Sequence, residues 1–178
     1  MNYKLTPMTA EHVPQIAALE RECFSHPWSE EMLLEELWND SAVIITAEGE
    51  DGTVLGYAGL QTVLDEGHIN NVAVAPDYRR QGVAGELIAA FIRFGKAKLT
   101  FLTLEVRASN TPAIQLYEKY GFYDEKTINI VMPGVDGIER RHRLMKSLHE
   151  NIPEAFGGRR VAAYRDYLSG TERGCGGE

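Results

Sequence analysis

The sequence is poor in cysteine: only Cys23 and Cys175 occur in 178 residues, far apart and outside any C-x-x-C spacing. That excludes a disulfide scaffold and a metal site built on thiolates, and a reducing cytoplasm is the expected setting. Long apolar runs are missing too. None approaches the roughly 18 residues that a membrane span needs, and Met1-Asn2-Tyr3-Lys4 does not read as a secretory leader. The five histidines (His12, His26, His68, His142, His149) form no cluster with metal-ligand spacing, so no metal is expected. Of these, His68 alone stands close to the candidate site described below. Basic residues are scarce at the front. Residues 1–66 carry 13 acidic and 2 basic side chains, a balance of −11. Residues 67–150 carry 9 acidic and 12 basic, a balance of +3, and residues 151–178 carry four of each. An acidic front argues against direct nucleic-acid binding, because phosphates require a basic face. It suits a basic partner or an amine substrate, or is simply a solvated face; charge alone does not choose.

What is present is the mix of a globular domain, 44% hydrophobic and 25% charged. Val13, Ile16, Ala17, Cys23 and Phe24 recur at helical spacing and predict a helix over 12–23, with Pro14 tolerated in its first turn. His26-Pro27-Trp28-Ser29 breaks the chain, and Ser29 caps a second helix running to about Trp38. From Ser41 the period changes. Ala42–Ala47 and Thr53–Val63 predict a hairpin about the turn at 48–52, and Ile69–Val74 a further strand. Then follow a helix over 83–98, a strand over Thr100–Val106 and a short helix over Pro112–Tyr120 that Gly121 ends. Strands over Phe122–Ile128 and near Arg143–Leu148 complete the set. This order predicts an α/β fold, a mixed and mostly antiparallel sheet with helices on its faces. A domain over 1–150 is expected, followed by a glycine-rich mobile tail over 151–178 with a short helix near Val161–Leu168.

The most informative stretch is Asn71-Val72-Ala73-Val74-Ala75-Pro76-Asp77-Tyr78-Arg79-Arg80-Gln81-Gly82-Val83-Ala84-Gly85. A strand runs into a turn and then into a glycine-containing loop that opens a helix. A helix start exposes unpaired N–H groups and partial positive charge, and Gly82, Ala84 and Gly85 let a ligand approach the backbone. Arg79 and Arg80 are expected to add charge at the rim. The G-x-x-x-x-G-K-[ST] and G-x-G-x-x-G patterns are both absent. A tight turn that needs small residues only for packing is the plainer alternative for a lone pair of glycines.

Val72–Gly85 resembles the acetyl-CoA-binding motif of the GNAT superfamily of N-acetyltransferases, [Q/R]-x-x-G-x-[G/A]. Leu104-Glu105-Val106-Arg107-Ala108-Ser109-Asn110, Ala113, Leu116-Tyr117-Glu118, Gly121-Phe122 and the early Pro27-Trp28-Ser29 are similar to one branch, the RimI-type ribosomal-protein alanine N-acetyltransferases. The resemblance covers residues 3–128 well and 129–148 loosely. It implies acetyl transfer from acetyl-CoA to a protein N-terminal amine, with a basic ribosomal protein as partner. It implies that the main chain of Val72, Ala73 and Val74 holds the acetyl and pantetheine part. Arg80, Gln81, Gly82, Val83, Ala84 and Gly85 are implied to hold the pyrophosphate, and Asn110 the cofactor arm.

Such a reaction needs a base, because an ammonium ion cannot attack a thioester, and the departing thiolate benefits from an acid. Strand alternation puts Phe101, Thr103 and Glu105 on one face and Leu102, Leu104 and Val106 on the other. Burial at a strand end tends to raise a carboxylate's pKa toward the range of a general base. A strand-end glutamate that is exposed or paired with Arg107 fits the pattern equally well, and the resemblance assigns Glu105 the base role. Ile114, Tyr117 and Tyr120 share helical spacing, so any of them suits a core. The resemblance makes Tyr117 the general acid and leaves Tyr120 in the core. With reference pKa values near 10 and 8.5, transfer from a tyrosine to a thiolate is uphill by roughly 2 kcal/mol unless position and a lowered tyrosine pKa offset it.

The resemblance lapses near the end of the domain. Members of the branch carry Asn-Tyr-Tyr after the last long strand and acid near Asp-Ala. Here the chain reads Asn129-Ile130-Val131 and then Glu139-Arg140-Arg141-His142-Arg143-Leu144-Met145. A lysine or small-amine acceptor, or an acetyl-CoA-binding module without turnover, therefore stand as alternatives.

Overall fold

The computed structural model describes residues 2–131 and 138–148. The expected tail over 151–178, with its helix near Val161–Leu168, lies outside the described residues. The first element is a strand the sequence reading did not predict, β1 (Tyr3–Pro7). Helix α1 (Val13–Cys23) starts with Pro14 in its first turn, where a missing N–H leaves no bond unmade. Helix α2 (Glu30–Glu36) starts at Ser29, whose hydroxyl accepts from the Met32 N–H at 3.2 Å. Strands β2 (Ala42–Gly49), β3 (Val54–Val63) and β4 (Glu66–Val74) follow as an antiparallel meander. Helix α3 (Val83–Lys98), strand β5 (Phe101–Arg107), helix α4 (Thr111–Lys119) and strands β6 (Tyr123–Val131) and β7 (Ile138–Ser147) complete the described order.

The seven strands make one sheet in the order β1-β2-β3-β4-β5-β7-β6. Every neighbour pair is antiparallel except β4 with β5. The two faces carry separate cores. Leu87, Ile88 and Phe91 of α3 and Tyr117 of α4 pack on Leu60, Ile69, Leu102 and Leu104. Val13, Ile16 and Ala17 of α1 and Leu33 of α2 pack with Ile44, Tyr57 and Ala73. Each fully buried aliphatic or phenyl side chain contributes about 1.5–3 kcal/mol, so these two layers hold the sheet rigid beneath the loops. The mixed sheet with helices on both faces is the expected architecture. It has seven strands rather than six, because Tyr3 and Leu5 pack as a short edge against the main core.

Candidate active site

Strands β4 and β5 pair only from Glu66 to Ile69 and from Phe101 to Leu104. Beyond that, β4 stays on β3 as far as Val74 and β5 stays on β7 as far as Arg107. The register explains the parting. Gly59 faces Asn71 and Leu60 faces Ile69, so Asn70 is an extra residue, a bulge that bends β4. Val72, Ala73 and Val74 therefore lie along a strand edge that β5 has left, and backbone groups on such an edge can bind an extended ligand.

The same strand leads through a single helical turn at Pro76–Tyr78 to the entry of α3. Arg80 has φ +62° and Gly82 φ +89°. A left-handed arginine is strained, and such strain collects at ligand clamps. Gly82 is the N-cap of α3 and offers no side chain to cap it; the position where its β-carbon would stand is open to 4 Å. The first intrahelical bond of α3 runs from the Glu86 N–H to the Gly82 carbonyl at 3.1 Å, so the N–H groups of Val83, Ala84 and Gly85 precede it and have no partner within the helix. The arrangement fits an anion such as a diphosphate.

Two expectations about this loop need correcting. Arg79 is not at the rim: its Nε donates to the Val74 carbonyl at 2.9 Å and its Nη2 to Cys23 Sγ at 3.4 Å, which staples the loop to β4 and α1. At Gly85 the space of the missing side chain is taken by Tyr120, which leaves only the backbone of Gly85 for a ligand. Gln81 donates to the Asp77 carbonyl at 2.8 Å. Asn110 caps α4, accepting from the Ala113 N–H at 3.3 Å through Oδ1.

On β5, Leu102, Leu104 and Val106 point into the α3 core, while Thr103 and Glu105 face the other side. Glu105 is partly exposed and sits directly opposite Arg143 of β7. Arg143 Nη2 is 3.7 Å from its Oε1, and Arg141 Nη1 is 3.7 Å from its Oε2. The partner is not Arg107, which bonds Glu139 at 2.9 Å and the Ser25 hydroxyl at 3.1 Å. The carboxylate lies between two guanidiniums, not in an apolar pocket. His68 stands on the same face, its Nδ1 3.0 Å from the Thr103 hydroxyl, and burial lowers its pKa, so it is neutral near pH 7.

Tyr117 is fixed by the end of its own helix. Gly121 has φ +83°, and the Phe122 N–H reaches back to the Tyr117 carbonyl at 3.1 Å, while the Gly121 N–H bonds Glu118 at 2.9 Å. This is a Schellman-type ending, and the rings of Tyr117 and Phe122 meet edge to face at 6.0 Å, the apolar contact that accompanies it. Burial pushes the Tyr117 phenol up to about 12, opposite to the lowering that would ease proton donation. Among the described residues none takes its hydroxyl proton.

Sequence reasoning passed over Glu20, which is fully buried in α1. The signal was available: Val13, Ile16, Ala17 and Glu20 share one helical stripe, so a charge occupies a core position. Among the described residues no group of three or more His, Cys, Asp or Glu could hold a metal.

A profile of the Acetyltransferase (GNAT) family matches residues 13–122. The chain is 33% identical over 137 residues to the [ribosomal protein bS18]-alanine N-acetyltransferase of Escherichia coli K12, covering 76% of this chain and 90% of that one. It is 31% identical over 140 residues to the N-alpha-acetyltransferase of Sulfurisphaera tokodaii, covering 71% and 83%. The crystal structure of the Escherichia coli ribosomal-protein-S18-alanine N-acetyltransferase superposes with a TM-score of 0.74 at 29% identity, over 85% of this chain and 99% of that one. Arabidopsis thaliana NAA60, solved with a bisubstrate analogue, shares the fold with a TM-score of 0.74 at 17% identity, over 82% and 98%.

Proposed function

The chain belongs to the acetyltransferase (GNAT) family, and from that premise we propose that it moves an acetyl group from acetyl-CoA to the N-terminal α-amine of a protein, an N-terminal alanine of a ribosomal protein. The observation that carries this reading is the open edge of β4 running into the strained, uncapped entry of α3. Val72, Ala73 and Val74 would hold the acetyl and pantetheine part through their main chain. Arg80, Gln81, Gly82, Val83, Ala84 and Gly85 would hold the pyrophosphate, and Asn110 the cofactor arm. Bound there, acetyl-CoA supplies an activated acyl carbon.

Glu105 accepts the proton that an ammonium must lose before its nitrogen can attack. Arg141 and Arg143 flank the carboxylate at 3.7 Å on either oxygen and hold it in place. An α-amine has a reference pKa near 8 and a lysine amine near 10.4, so deprotonating the lysine costs roughly 3 kcal/mol more at equal pH. That difference supports an N-terminus as acceptor. Tyr117 holds its proton at Oη. Full transfer to a thiolate of reference pKa about 8.5 would be uphill by about 5 kcal/mol, so Tyr117 acts as a hydrogen-bond donor to the charge that develops on sulfur, and the proton passes late. The acidic front of the chain suits a basic ribosomal protein, and the reading carries a cytoplasmic setting. No described helix is long and apolar enough to cross a membrane.

The test is a panel of acceptors followed by acetyl mass shift: peptides with a free N-terminal alanine or serine, an N-terminally blocked lysine peptide, and a polyamine. Acetylation confined to free N-termini is expected. Preference for the lysine peptide or the polyamine would replace the acceptor, and no transfer to any of them would remove the reading.

A further inference from the structure

Glu20 is a carboxylate at zero exposure with donors from three separate elements. The Tyr57 hydroxyl of β3 donates a short hydrogen bond to Oε1, and the Asn71 side-chain amide of β4 donates to the same oxygen at 2.9 Å. The Asn71 amide also reaches the Tyr57 hydroxyl at 3.0 Å. The other oxygen, Oε2, accepts from the Trp28 backbone N–H at 2.8 Å. Burial and the neighbouring Glu20 push the Tyr57 phenol far up, so that hydroxyl stays a donor. Asn71 lies next to Val72 at the bulge where β4 leaves β5, and Trp28 belongs to the loop between α1 and α2 on the same side of the sheet as Glu105.

We propose that Glu20 is a positioning residue for acetyl transfer: one buried carboxylate ties the Trp28 loop to the strand that holds the acetyl donor, and so sets where the acceptor sits relative to Glu105. This rests on the acetyl-transfer reading above. Its chemistry is specific to a carboxylate. Three donors converge on two oxygens, and only a group with acceptors on both sides satisfies them. In Glu20→Gln one oxygen becomes an N–H₂, which must face either Trp28 or the Tyr57–Asn71 pair, donor against donor. The loop is the less constrained side and gives way.

The test compares Glu20→Gln with Ile16→Ala, which loosens the same helix one turn earlier and the same buried cluster but removes none of the hydrogen bonds to Glu20. With a peptide acceptor, Glu20→Gln is expected to raise the acceptor KM at least tenfold while the acetyl-CoA Kd, measured without acceptor, stays within twofold. Ile16→Ala is expected to leave the acceptor KM within twofold despite a lower Tm. A second readout needs no turnover. The chain has two tryptophans, so in a Trp38→Phe background Trp28 is the sole indole, and Glu20→Gln should at least double its acrylamide quenching constant. Unchanged quenching, an unchanged acceptor KM, or a KM that rises as far in Ile16→Ala as in Glu20→Gln overturns the proposal. If the wild type acetylates no peptide, acetyl transfer itself fails, and the quenching result alone decides whether Glu20 holds the loop.

Discussion

The Tyr120 hydroxyl lies 2.6 Å from the point where a β-carbon on Gly85 would stand, so the second glycine of the α3 entry is small because a tyrosine from the end of α4 rests on it. Gly85→Ala is therefore expected to destabilise the chain by about 1–3 kcal/mol through overpacking. In a Tyr120→Phe background the clashing oxygen is gone and the next ring atom is 3.3 Å away, so the same substitution should cost clearly less. A double-mutant cycle on urea midpoints reads the coupling. Equal costs in both backgrounds would show that Tyr120 is not the obstacle.

Glu105→Gln keeps the shape of the residue and removes the proton acceptor. The expected result is a fall in kcat of about 10²–10³-fold, with acetyl-CoA affinity held within twofold. Stopped-time assays of released thiol and a separate binding titration measure the two quantities. Full kcat in this variant would point to a module that binds without using this carboxylate.

Tyr117 titrates near 10 in an unfolded chain and at about 12 in the folded one. Above pH 10 the unfolded chain gives up this proton first. The stabilisation is thus intact below pH 10 and is lost as pH rises toward 12, by about 3 kcal/mol at most. Tyr117→Phe should lose less stability across that window, read from urea midpoints at pH 9 and 11.5. The same variant should lower kcat by tenfold or more if the hydroxyl acts in the transfer.

Gly82 sits in open space at φ +89°, so a side chain there meets no neighbour and only the backbone resists. Gly82→Ala is expected to strain the α3 entry by about 1–2 kcal/mol. If a diphosphate binds those N–H groups, the acetyl-CoA Kd should weaken by roughly the same free energy, about tenfold. Calorimetric titration checks it, and an unchanged Kd would move the diphosphate elsewhere.

Leu64 is left-handed, at φ 55°, and 95% exposed in the turn between β3 and β4. Leu64→Gly should stabilise the fold by about 1 kcal/mol, since it relieves strain and gives up no buried contact. Thermal melting reads the change, and a loss of stability would mean that the leucine makes a contact worth more than the strain.

The two helical stripes, the Ser29 cap, the Gly121 ending and the alternation through Glu105 were legible in the residues, because each is a local pattern with a period or a cap. The small-residue loop before α3 was legible as an anion cradle for the same reason. What the tertiary structure decided is which of those residues does what. Arg79 and Arg80 are neighbours of one type, yet one is bonded to Val74 and Cys23 while the other takes a strained left-handed backbone. Gly82 and Gly85 read alike, yet one is open and the other lies under Tyr120. Arg143 became the partner of Glu105 only through the β5–β7 register, 38 positions along the chain, and Glu20 met Tyr57, Asn71 and Trp28 only once the sheet had closed. Periodicity reports which face a residue takes, whereas pairing between distant segments depends on register and packing, which no local window of sequence contains.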